Sequence, residues 1–108
     1  MSGKKKVNNR FFRISKGKRT DEPRSKFKGE PNTYEDTYEK ESGKFYRRRK
    51  FNGSGIAYVD LDVSDGKHPY DHRHKIEGND RFLGDCDLSK SEKAELKKAK
   101  KKRRFWRR

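Results

Sequence analysis

The stretch GIAYVDLDV, residues 55–63, sets the reading of this chain. Ala57, Val59, Leu61 and Val63 alternate with Tyr58, Asp60 and Asp62, a period of two that predicts a strand with one buried face. Upstream, KFYRRRKF (44–51) predicts a partner strand, with NGSG (52–55) as the hairpin connection. Downstream, SDGKHP (64–69) reads as a turn and YDHRHKIE (70–77) as a third strand with Tyr70, His72, His74 and Ile76 on one face. GND (78–80) turns the chain again, into RFLG (81–84). The expectation is a small antiparallel β-meander over about 45–84.

The C-terminus reads differently. Ser89 and Glu92 have the spacing of a capping box, and the helix formers of KAELKKAKKKRR follow, with acids early and bases late. A helix is predicted from about 90 to 104. Its apolar residues Ala94, Leu96 and Ala99 are too few for a wide core stripe, so it reads as a cationic rod tipped by Phe105 and Trp106. The acidic stretch GEPNTYEDTYEKESG (29–43) shows no periodicity and reads as an extended linker or a loop over the sheet. The fold class expected is therefore α+β: the small meander, an extended basic N-terminal arm and a basic C-terminal helix. Four segments result: 1–28 as arm, 29–44 as acidic linker, 45–87 as β-rich core and 88–108 as helix.

Composition bounds what this chain can bury. At 108 residues, 26% hydrophobic and 45% charged, it holds one domain at most, with a small core. A net charge of +15 repels itself on compaction, and a polyanion relieves that repulsion. The charge sits at the ends: residues 1–28 and 88–108 each carry eleven Lys/Arg against two acids, whereas 29–44 carry two against five. Basic ends read as interaction arms, and the pI of 10.1 lies in the range of nucleic-acid binders. Cys86 is the single cysteine, which excludes an internal disulfide and fits a reducing, intracellular setting. No apolar run is long enough to span a membrane, and MSGKKKVNNRFFRI has no secretory h-region.

Basic residues interleave with aromatics in RFFRISKGKR (10–19), KFYRRRKF (44–51) and RRFWRR (103–108). Cations of this kind neutralise phosphates, and rings beside them stack on exposed bases. Arg10, Arg13, Lys16, Lys18, Arg19, Arg47, Arg48, Arg49, Arg103, Arg104, Arg107 and Arg108 are the expected phosphate ligands. Phe11, Phe12, Tyr46, Phe105 and Trp106 are the expected stacking or anchoring rings. No zinc-finger, leucine-zipper, helix-turn-helix, RRM or KH pattern is present, so sequence-specific duplex reading has no visible vehicle. RNA is favoured over DNA, in a structural or assembly role within a ribonucleoprotein or nucleoprotein particle such as a ribosome or virion. Protein subunits of that particle are further partners, and no cofactor is expected. Alternatively, the arms serve an adaptor that engages an acidic protein.

All three histidines fall in DGKHPYDHRHKIEGN (65–79). His72 and His74, two apart on one strand face, offer two metal ligands, with His68, Asp71 or Cys86 to complete a set. YDHRHKIEGN (70–79) resembles the start of an HNH nuclease site with Asn79 in reach, but no histidine follows His74. The spacing Asp71-x-x-His74-x-x-Glu77, followed by FLGDCD (82–87), resembles the cytotoxic domains of ribosome-cutting colicins, which are small, basic and sheet-rich. That resemblance implies a metal-free RNase, with Asp71, His74 and Glu77 in acid–base roles beside Arg73, Lys75 or Arg81. On a strand, however, Asp71 and His74 point to opposite faces. Asp60, Asp62 and Asp65 lack the terminal Glu of a calcium loop and read as surface acids on a strand edge.

Overall fold

A computed structural model describes residues 10–21, 25–64, 70–82 and 87–106. In chain order the elements are β1 (Phe11–Ser15), β2 (Lys18–Thr20), β3 (Tyr34–Glu39), β4 (Phe45–Phe51), β5 (Ala57–Asp62), β6 (His72–Glu77), β7 (Asp80–Phe82) and α1 (Lys90–Lys100). These strands form one antiparallel sheet in the order β2-β1-β3-β4-β5-β6-β7. From β3 to β7 it is a meander. The first hairpin breaks that order, because the chain leaves β2 and returns on the far side of β1.

This corrects the expected α+β class. Among the described residues the molecule is mostly antiparallel sheet with one short helix, and the meander over 45–84 is only part of a sheet that begins at Phe11. The stretch read as an extended basic arm holds β1 and β2, joined at Lys16 and Gly17, whose φ values of 50° and 82° suit a two-residue hairpin turn. The stretch read as an acidic linker holds β3. Hydrophobic alternation does not mark β3, because its partners are ions. In the β3–β4 register Glu35 faces Arg49 and Asp36 faces Arg48. In the β4–β5 register Arg47 faces Asp62 and Arg49 faces Asp60. Opposite charges directly across strands stabilise that alignment, and a one-residue slip would reverse every face.

The two faces of the sheet differ in chemistry. On one, Phe12, Tyr38, Phe45, Val59 and Leu61 pack with Leu96 and Ala99 of α1, and Trp106 lies against the same cluster. The Ser89–Glu92 capping box starts the helix. With Leu96 only 1% exposed, α1 is docked on the sheet rather than a free rod, and truncating that leucine should cost about 2–5 kcal/mol. Beyond α1 the chain crosses the β3–β4 turn, where the Arg104 amide donates to the Gly43 carbonyl. On the other face a smaller apolar cluster of Phe51, Ala57 and Ile76, with Phe27 against it, borders a layer of buried charged groups.

Candidate nucleic-acid interface

Between the β1–β2 hairpin, β3 and the C-terminal end of α1 runs a groove of about 930 Å³. Among the described residues seven cations line it: Lys16, Arg19, Arg48, Lys98, Lys101, Lys102 and Arg104. Its two acids, Asp36 and Glu95, are already neutralised. Arg48 donates to both oxygens of Asp36 at 2.7 and 2.9 Å, and also to Glu95 at 2.9 Å. Lys50 donates to the other Glu95 oxygen at 2.9 Å. The Arg48 guanidinium lies 3.8 Å above the ring centroid of Tyr34. The remaining cations give the groove an excess of positive charge, and Lys98 in the last turn of α1, the C-cap Lys101 and the following Lys102 gather at the C-terminal end of the helix.

Four of the sequence-predicted phosphate ligands, Lys16, Arg19, Arg48 and Arg104, converge on this groove. Lys16 pairs with Glu30 at 2.9 Å in solvent, and Arg19 donates to the Phe105 carbonyl. Lys18 is exposed on the edge strand β2. Arg10 is exposed, bonded to Glu39 at 2.8 Å and set over the Phe11 ring. Arg103 donates to the Ser42 carbonyl at 3.1 Å. Arg107 and Arg108 lie outside the described residues. Arg13, Arg47 and Arg49 sit on the far face, engaged with protein groups: Arg13 donates to Ser25 at 2.8 Å, and the other two bind Asp62 and Asp60.

Of the expected rings, Phe12 is fully buried in the core and Trp106 packs on it at 5.4 Å between centroids. Phe11 and Tyr46 pack against each other with centroids 4.7 Å apart and planes tilted by 31°, with Arg10 and Arg47 over them. Phe105 remains 46% exposed. Sequence reasoning missed Tyr34, Lys98, Lys101 and Lys102. The lysines were legible from their spacing on the predicted helix, whereas Tyr34 stood in a segment read as linker.

The histidine-rich segment contributes to the buried ionic layer. Asp60 accepts from Arg49 at 2.8 and 2.9 Å and from Arg81 at 2.8 Å. Asp62 accepts from Arg47 at 2.8 and 3.0 Å and from Arg81 at 3.1 Å. Both acids are buried, which corrects their reading as surface acids on a strand edge; Asp65 lies outside the described residues. Burial and the nearby Arg81 push the His74 imidazole down to about 4, so it is neutral at pH 7. His72 Nδ1 lies 3.0 Å from the Tyr70 carbonyl and carries the proton toward it, leaving Nε2 to face Asp62 at 3.8 Å.

Ligand atoms of Asp62, His72 and His74 lie within 4.8 Å of one another, a candidate metal set. Sequence reasoning paired the two histidines with other residues. Asp71 instead accepts from the Ser64 amide at 2.8 Å and from Lys100 at 2.7 Å, while His68 and Cys86 lie outside the described residues. The donor set fits a divalent cation poorly. Both Asp62 oxygens already accept guanidinium N–H groups, and a dication there would stand against Arg47 and Arg81. Nor are Asp71, His74 and Glu77 brought together. Asp71 is tied to α1, His74 lies in the ionic layer, and Glu77 pairs in solvent with Lys75 at 3.1 Å.

Among the described residues no helix is long and apolar enough to cross a membrane. No protein-family model matches the chain, and neither a curated protein nor a solved structure shows significant similarity to it.

Proposed function

We propose that this protein binds nucleic acid, RNA in preference to DNA, and serves a structural or assembly role in a nucleoprotein particle. The observation that carries the reading is the groove, where seven cations meet two acids that Arg48 and Lys50 already hold. Phosphates entering it displace counterions rather than break buried ion pairs, and counterion release is the main sequence-independent source of affinity. RNA is favoured because open aromatic faces accompany the cations, a combination that takes unpaired bases. The ion-paired arginines Arg47 and Arg49 hold the sheet together and leave phosphate contact to Lys16, Arg19, Lys98, Lys101, Lys102 and Arg104.

The test is affinity for RNA across a salt series. Wild type should show log K falling linearly with log salt. The variant Lys98→Ala/Lys101→Ala/Lys102→Ala should bind more weakly and lose about 2 from the slope, at ~0.7 per single-strand phosphate contact. An unchanged slope would remove the groove from the reading. Wild type that binds no nucleic acid, but holds an acidic protein through nuclease treatment, would replace the reading altogether.

A further inference from the structure

Beside the groove lies a shallow cleft of about 390 Å³, lined by Asn32, Thr33, Tyr34, Lys50, Asn52 and Tyr58, among others. Tyr34 belongs to both depressions, with Asn32 and Thr33. The two tyrosines are 46% and 42% exposed, and neither belongs to a core cluster. From this we infer that Tyr34 and Tyr58 are stacking platforms for unpaired bases, and that the ligand taken here is a single-stranded RNA segment. The inference rests on the nucleic-acid reading above and deepens it.

The rings stand on a rigid base. Tyr34 opens β3, and the neighbouring backbone is fixed by the Asn32 amide donating to Asn52 and the Phe51 amide donating to Thr33, each at 2.9 Å. Thr33 Oγ1 donates to the Glu30 carbonyl at 2.7 Å. One face of Tyr34 lies under the Arg48 guanidinium, which Asp36 and Glu95 hold in place. A base on the exposed side of that ring would extend a stack already begun by Arg48. Tyr58 lies in the same cleft beside Lys50. From Tyr34 the groove leads to Lys98, Lys101 and Lys102, which supply charge for the following phosphates. Stacking of this kind tolerates any base sequence, whereas bases in a duplex are stacked on each other and offer these rings no faces.

The probe is a fluorescein-labelled RNA of about a dozen nucleotides, within the span of one small single-strand module, measured alone and annealed to its complement. Anisotropy titration should show the wild type binding the single strand more tightly. Tyr34→Ala and Tyr58→Ala should each weaken single-strand binding about fivefold or more. Duplex affinity and the salt slope should stay unchanged, because a ring neutralises no phosphate, and Tyr→Phe at either position should retain wild-type affinity. Tyr58→Ala carries the test alone if loss of Tyr34 disturbs Arg48, since the Tyr58 ring lies outside both core clusters. Unchanged single-strand affinity in the Ala variants, or an equal loss for strand and duplex, would overturn the inference and leave the groove reading standing. Wild type that binds neither RNA form would overturn both.

Discussion

Arg49 and Asp60 face each other across β4 and β5 through two parallel hydrogen bonds, Nε to Oδ1 at 2.8 Å and Nη2 to Oδ2 at 2.9 Å, with 3% and 0% of their side chains exposed. Burial alone would push the Asp60 carboxyl up, but hydrogen bonding from Arg49 and the charges of Arg47, Arg49 and Arg81 hold it below its ordinary value. The pair is the centre of a layer in which ions take the place that apolar side chains hold in most sheets.

Removing one member of that layer should be far worse than removing a matched pair. Asp60→Ala leaves Arg49 and Arg81 without their shared acceptor and should cost about 3–5 kcal/mol. Urea unfolding measures this. The double variant Arg49→Met/Asp60→Leu should recover a large part of the loss, because it replaces the pair with apolar volume. A double variant as unstable as the single one would contradict the account.

Glu95 joins the helix to the sheet by accepting from Arg48 and Lys50. Burial would raise its carboxyl, yet those two cations keep it below the ordinary range. Glu95→Gln should therefore destabilise by about 1–2 kcal/mol. Faster amide exchange should appear first in α1, and exchange distributed evenly over the sheet would mean that the helix is held by Leu96 and Ala99 alone.

His74 makes stability depend on pH in a defined direction. Unfolded, the imidazole titrates near ~6.5; folded, burial and Arg81 lower it to about 4, with His72 and Arg47 acting in the same sense and Asp62 against it. The unfolded chain thus binds the proton first, so the contribution is complete above the unfolded value and is lost as pH falls through the folded one. His74→Gln should flatten the stability profile between those limits. Glu35, whose carboxyl burial raises, acts oppositely, its contribution being lost as pH rises, so the difference between variant and wild type is the measurement.

Two glycines separate backbone strain from steric contact. Gly17 has φ +82°, and a Cβ there would meet open space, so Gly17→Ala should cost only the strain of about 1–2 kcal/mol. Gly55 has φ +76°, and a Cβ there would stand 2.4 Å from the Gly29 carbonyl oxygen, in the loop that pairs with the start of β5. Gly55→Ala should be clearly the more damaging of the two in thermal melts. Equal losses would show that the loop yields without cost.

Where structure depends on neighbours in the chain, the sequence by itself determined it. Alternation from Ala57 to Val63 marks β5 because each residue declares its face two positions later. The Ser89–Glu92 spacing marks the helix start because a capping box closes within one turn. Tertiary structure decided the rest. Nothing local in YEDTYE announces a strand, since the groups that stabilise β3 are arginines about a dozen positions away on β4. For the same reason the run Arg47-Arg48-Arg49 read as phosphate ligands, until pairing with Asp36, Asp60 and Asp62 engaged all three inside the protein. A charge has no period, and its role depends on which distant strand supplies the counter-charge.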